Sequence, residues 1–135
     1  MPRVDANVIL RYLTDEPAEQ AERVARLFDQ VASGQVSLTL DDITVAEVVW
    51  TLSSFYKMPR KEIADAMLQL LSAGGIECRD GAVVQRALVF FEEKNVDYAD
   101  ALLCARMLAE GEPDVYSFDR HFDRIAGIRR LEPPI

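Results

Sequence analysis

Asp5, Glu47, Asp97, Asp100 and Asp119 are five acidic residues placed where they can do chemistry together. The densest grouping is Asp97-Tyr98-Ala99-Asp100, a helix start that then runs almost wholly apolar from Ala101 to Leu108. With Asp97 as the cap, Asp100 is the third residue of the helix, and Leu103, Cys104 and Met107 beyond it are expected to look inward. A carboxylate drawn onto such a face is destabilising unless a cation, a proton or hydrogen bonds compensate it. Several carboxylates side by side also raise one another's pKa values, and a bound hard cation resolves that conflict. Magnesium and manganese prefer oxygen ligands, keep some of their waters, polarise a phosphoryl oxygen and activate water for attack. The chemistry in prospect is phosphodiester hydrolysis. The plainer reading is that Asp97 and Asp100 only serve the positive end of the helix dipole.

These positions must be held by the elements around them. Arg3-Val4 reads as the end of a short strand, and Asp5-Ala6-Asn7 as a turn and cap before the helical pattern Val8, Ile9, Leu10, Tyr12, Leu13. Pro17 opens a second helix, with Ala21, Val24, Ala25, Leu27, Phe28 and Val31 on its apolar face, ending near Gly34. Residues 36–40 alternate as a strand, and Asp41-Asp42 opens a helix over 43–52 that is apolar on most of its circumference and therefore expected to be mostly buried. Its polar stripe is Thr44, Glu47, Thr51 and Ser54, which is either a solvent face or a face turned to a polar cleft. Pro59 starts a further helix ended by Gly74-Gly75, residues 76–78 form a short strand, and Gly81 leads into a helix stopped at Asn95. Residues 115–117 are a strand with Asp119 just past its end, and residues 128–131 add a last strand.

Strands alternating with helices through short loops indicate an α/β fold, a parallel sheet with helices on both faces, formed by one domain over residues 1–135. Right-handed crossovers put the strand ends before Asp5, Glu47 and Asp119 on one edge of that sheet, where ligands bind in open α/β folds. Four carboxylates, with Asp100, are then placed to converge. The formal charge of −8 excludes a broad electrostatic footprint for nucleic acid, so a polyanion must be handled locally. Cys78 and Cys104 lack paired metal spacing and read as free buried thiols. There is no apolar signal core at the N-terminus and no apolar run of membrane-spanning length, so a cytoplasmic protein without a membrane partner is expected.

The stretches Val4-Asp5-Ala6-Asn7-Val8-Ile9-Leu10-Arg11-Tyr12-Leu13, Ala46-Glu47-Val48-Val49-Trp50, Asp97-Tyr98-Ala99-Asp100-Ala101-Leu102 and Tyr116-Ser117-Phe118-Asp119-Arg120 together resemble the PIN-domain family, and within it the VapC-type toxins. The resemblance keeps order and spacing over nearly the whole chain. It implies a three-layer α/β/α fold and a magnesium- or manganese-dependent endoribonuclease, the toxin of a type II toxin–antitoxin pair, with a cognate antitoxin and a homodimer as partners. The family's four central acidic positions fall on Asp5, Glu47, Asp100 and Asp119. Asp97 matches an acidic residue beside the third, and Asn7 and Ser117 match supporting polar residues. The roles implied are Asp5 and Asp100 as the most direct metal ligands, Asp119 as a ligand or water-positioning group, and Glu47 as a ligand through water or a base orienting the attacking water. Ala6 stands where the family commonly has Thr or Ser. His121 stands where many members carry a further acid, and reads as a surface histidine at a helix start, while Asp123 reads as a partial substitute or a solvated residue.

RNA would be held by Arg11, Lys57 and Arg120, with Arg60, Lys61 and Arg124 as further candidates, although surface solubilisation explains such residues as well. Two other readings compete. A phosphoryl-accepting enzyme with a strand-end nucleophile fits poorly, because Asp5-Ala6-Asn7 lacks a second Asp and no strand-end Lys is placed to grip a phosphoryl group. A catalytically inactive binding module would use the same acidic pocket for a basic partner peptide, with Tyr12, Trp50, Phe55, Tyr56 and Met58 as a partner groove.

Overall fold

The computed structural model describes residues 1–134 and divides into two compact units, residues 1–81 and residues from Ala82 onward. In the first unit, helices α1 (Ala6–Thr14) and α2 (Ala18–Ala32) precede strand β1 (Leu38–Leu40), and α3 (Asp42–Ser54) and α4 (Arg60–Ser72) precede β2 (Ile76–Cys78). The strands pair in parallel, Leu38 opposite Ile76 and Leu40 opposite Cys78. Expected strand 36–40 is thus shortened to three residues. The N-terminal segment adds only a bridge from Arg3 to Thr39, where Thr39 N–H donates to the Pro2 carbonyl and Val4 N–H to the Thr39 carbonyl. Three extended segments therefore run parallel. The first two of them pass directly into helices that begin at Ala6 and Asp42.

Helix α3 buries Val45, Val48, Val49 and Leu52, the i, i+3, i+4, i+7 set of one helical face, and packs against α1 and α4. The expectation that it is buried around most of its circumference is not met. Ile43 is 75 % and Trp50 69 % exposed, and Phe55 just beyond the helix is also exposed. A four-residue face accounts for the burial, and the remaining apolar residues form a second face outside the core. Thr51 and Ser54 return their hydroxyls to the carbonyls of Glu47 and Trp50, a local bond that satisfies them without any cleft.

The second unit contains α5 (Gly81–Glu93, from its second residue), α6 (Tyr98–Glu110), β3 (Asp114–Tyr116), a 3-10 turn at Arg120–Arg124, and β4 (Arg129–Leu131). Strands β3 and β4 pair in parallel with Asp114 opposite Arg129, and Ser117 N–H extends the pairing to the Leu131 carbonyl. Val84, Leu88, Val96, Ala101, Cys104 and Ile125 are among its fully covered side chains. Asn95 ends the α5 region in the left-handed conformation (φ 53°), which Asn tolerates better than most residues, and Gly111 does the same for α6 (φ 71°). Parallel strands interleaved with helices make this an α/β chain. Among the described residues no helix is long and apolar enough to cross a membrane.

Candidate active site

In the first unit, Asp5 stands at the N-cap of α1, where its backbone carbonyl accepts from the amides of Val8 and Ile9. Its side chain makes no capping hydrogen bond and is exposed, so capping is not what the carboxylate does. Ala6 beside it is buried, at 2 % exposure, while Asn7 is exposed. The next extended segment hands over to its helix at Asp41, whose carboxylate pairs with the Arg3 guanidinium at 2.8 Å. That pair ties the two strand-to-helix handovers together. Glu47 lies in the second turn of α3, exposed, on the side of the helix that also shows Ile43 and Trp50. Arg11 donates through Nε to the Gln20 side chain at 2.7 Å, linking α1 to α2, and Lys57 is exposed in a left-handed turn residue (φ 55°).

In the second unit, Asp97 and Asp100 occupy the start of α6 as the apolar pattern predicts, with Asp97 at the N-cap. Asp100 is half-buried, not buried, because Leu103 faces outward (43 % exposed) while Cys104 and Met107 face in. Its carboxyl is held above the ordinary carboxylate range, first by burial and then by the neighbouring charges of Asp119 and Asp97, with His121 opposing. The chain thus brings Asp97, Asp119 and His121 within electrostatic reach of Asp100. Cys104, one turn along, shares this field: burial pushes its thiol up to about 11, and the Asp100 charge adds to that. Cys78, half-buried and not buried as expected, is likewise pushed up to about 11 by burial, with Asp42, Asp41 and Asp80 adding to the rise. Both shifts favour the protonated, less nucleophilic thiol at neutral pH.

Asp119 sits on a turn built by its own neighbours. The Ser117 hydroxyl accepts from the Asp119 amide at 2.9 Å, and one oxygen of Asp119 accepts from the His121 amide at 2.8 Å, capping the 3-10 turn. The His121 ring comes to 3.4 Å of the same oxygen and is exposed. Arg130 holds this turn from behind. It donates to the Ser117 carbonyl at 3.0 Å and to the carboxylates of Asp123 at 3.1 Å and Glu132 at 3.0 Å. Asp123 is thereby an exposed ion-pair partner of Arg130, which agrees with its reading as a solvated residue. Arg130 itself escapes sequence reasoning, since its partners lie 7 and 13 residues away along an irregular path that no periodicity reports.

Among the described residues, no three His, Cys, Asp or Glu side chains are already drawn together as a metal-binding group. What the second unit offers is a half-buried Asp100 whose pKa is raised by burial and then by the charges of Asp119 and Asp97, carboxylate oxygens of the kind that suit a hard, oxygen-preferring cation.

The chain is 22 % identical over 133 residues to the VapC ribonuclease of Aquifex aeolicus (strain VF5), an alignment that takes in 98 % of this chain and 97 % of that protein. Residues 4–128 match the sequence model of the PIN domain, from the segment before Asp5 to the residue before β4, and Asp5, Glu47, Asp97, Asp100 and Asp119 all lie within the match: the chain belongs to the PIN domain family.

Proposed function

We propose that this chain is a magnesium- or manganese-dependent endoribonuclease whose site is made by Asp5, Glu47, Asp100 and Asp119, with Asp97, Asn7 and Ser117 in support. The observation that carries the reading is the placement of Asp100 at the start of α6, half-buried, with Asp119 and Asp97 close enough for their charges to add to the rise that burial gives its carboxyl. In this reading the chain is a single domain over residues 1–135, its parallel segments joined into one central sheet with helices on both faces in three layers. The family match, which spans both units, supports that arrangement.

Asp5 and Asp100 would hold the cation directly, Asp119 would hold it or position the water, and Glu47 would reach it through water or orient the attacking water. The cation supplies charge neutralisation at a phosphodiester oxygen and a water more easily deprotonated than in bulk. The residues of this chain contribute the rest. The Ser117 hydroxyl and the Arg130 guanidinium fix the turn that presents Asp119, and the buried face of α6 fixes the direction from which Asp100 approaches.

The test is cleavage of a mixed pool of structured RNAs by the purified chain with magnesium, with manganese and with chelator, beside an Asp5→Asn variant. Cleavage that requires both metal and Asp5 is expected; a fully active Asp5→Asn chain would sink the assignment. RNA is held on Arg120 and Lys57 in this reading, with Arg11 adding to the track. Arg120→Glu combined with Lys57→Glu is expected to raise KM roughly tenfold and to lower the slope of log affinity against log salt by about one per lost phosphate contact. An unchanged slope would remove them from the track.

The proposal extends to a cytoplasmic toxin of a type II pair, bound by a cognate antitoxin and itself a homodimer. Exposed apolar surface in the first unit favours protein partners: Ile43, Trp50 and Phe55 lie open, and Tyr12, stacked on Phe28 at 4.1 Å, lines a cavity of about 720 Å³. Of the groove residues named from the sequence, Tyr56 and Met58 line a separate cavity of about 430 Å³. The same surface also suits an inactive binding module that receives a basic peptide among the carboxylates. Metal binding with cleavage decides for the nuclease, and binding of a basic peptide with neither decides for the module.

A further inference from the structure

Arg124 was a candidate for gripping RNA phosphates, and the structure gives its guanidinium a different partner. Nη1 donates to the Asn95 carbonyl at 2.6 Å and lies 3.5 Å from the Lys94 carbonyl, 29 and 30 residues earlier in the chain. Those carbonyls belong to the end of the α5 region, where Lys94 N–H still donates to the Phe90 carbonyl and Asn95 turns into the left-handed conformation. A cation there meets the negative end of a helix dipole as well as two carbonyl oxygens. Two residues after Asn95 comes Asp97, the N-cap of α6, and three after that Asp100.

Arg124 is also the last residue of the 3-10 turn that Asp119 caps. This turn is seated by Phe122 and Ile125, which are 5 % and 2 % exposed, so it cannot swing without unpacking them. The turn is therefore a short strut. One end carries Asp119, and the other end holds, through one side chain, the peptide that leads into Asp97 and Asp100. Lys94 and Asn95 are exposed, so the Arg124 bond joins this left-handed turn to the far end of the strut just before the chain is buried again at Val96.

We propose that Arg124 is a positioning residue for the candidate active site, fixing the distance between Asp119 and the Asp97–Asp100 helix start by holding the Lys94–Asn95 carbonyls. The inference rests on the nuclease reading for its consequence in activity, and on the hydrogen bonds alone for its structural content. Residues that orient metal-binding groups from outside typically change metal affinity by about 10–100-fold when removed.

The experiment compares the full chain with its Arg124→Ala and Arg124→Lys variants, using three readouts. Hydrogen exchange of the peptide covering residues 94–103 is expected to rise in Arg124→Ala, with exchange of the first unit unchanged, and to be partly restored in Arg124→Lys. Manganese affinity by calorimetry is expected to fall at least about tenfold in Arg124→Ala, and kcat on RNA to fall with KM held. Unchanged exchange over 94–103, with a raised KM and a reduced salt slope, would overturn the proposal and return Arg124 to the phosphate track. A parent chain that binds no manganese and cuts no RNA would count against the nuclease reading alone, since the exchange comparison still decides whether Arg124 holds the turn. If Arg124→Ala fails to fold, Arg124→Lys against the parent supplies the same comparison.

Discussion

Asp100→Asn is expected to lower metal-dependent RNA cleavage by about 10²–10³-fold or more, the scale on which removing a group that stabilises reacting charge is felt. The same substitution is expected to make the metal-free chain more stable at neutral pH. Asp100 has a carboxyl raised above its ordinary range by burial, Asp119 and Asp97, so the folded state holds its proton more tightly than the unfolded state does. Where the unfolded state binds fewer protons, stability falls as pH rises. The contribution of Asp100 is thus fully present in acid and is lost as pH climbs from the ordinary carboxylate pKa through the raised one. Asn has no charge to lose. In chelator, the melting temperature of the variant should exceed that of the parent at pH 7, and the gap should close as pH falls below the carboxylate range. Manganese should then raise the melting temperature of the parent by mass action and leave the variant near its metal-free value. Two results would defeat this: an Asp100→Asn chain that retains cleavage, or one that is less stable than the parent at pH 7 without metal.

Much of the fold could be read from the chain because its signals are local. Asp5, the Asp41-Asp42 pair and Asp97 each stand just before an apolar helical pattern, and Asp5, Asp41 and Asp97 prove to be the N-caps of their helices. Gly111 and Asn95 end their helices because few other residues adopt positive φ without strain. The strands were harder to bound. Residues 36–40 alternate as a strand should, yet only 38–40 find a partner, because pairing depends on where Gly75 and Ile76 arrive from more than 30 residues away. The exposure of Ile43 and Trp50 was illegible for a related reason. An apolar helix surface in sequence does not tell a core face from a face left for another partner. At the candidate site, residue type and position indicated Asp97, Asp100 and Asp119, and the Asp100 carboxyl is raised first by burial and then by the charges of Asp119 and Asp97, the latter being the repulsion in question. What the sequence left unread was the scaffold of that repulsion. Arg130 and Arg124 act through carbonyls and carboxylates reached only by the tertiary path of the chain, and a lone Arg in a polar turn carries no pattern.

Gly75→Ala is expected to destabilise the chain by about 2–4 kcal/mol, combining the strain of a non-glycine residue at positive φ with overpacking. Gly75 has φ of 88°, and a Cβ there would lie 2.8 Å from Val31 Cγ1 and 3.1 Å from the Val31 carbonyl oxygen. Val31 is itself 4 % exposed, so neither the backbone of α2 nor the buried valine can give way freely. A fall in melting temperature of roughly 5–15 °C follows for a chain of this size. Gly74 supplies the control, since a Cβ there meets nothing within 4 Å and its φ lies outside the left-handed region. Gly74→Ala should therefore be neutral or stabilising by up to about 1 kcal/mol through a less flexible unfolded chain. The difference between these neighbours matters for the site as well. The Gly75 carbonyl accepts from Leu38 N–H at 2.8 Å, which sets the start of the β1–β2 pairing. Strand β1 then runs through Asp41 into α3, so a displaced Gly75 carries Glu47 with it. Residual folded Gly75→Ala protein should accordingly lose RNA cleavage beyond its loss of folded fraction, measured at a temperature where both chains are folded. Equal stability of the Gly75→Ala chain and the parent would mean that Val31 yields without resistance, and the register of β1 would then owe nothing to this contact.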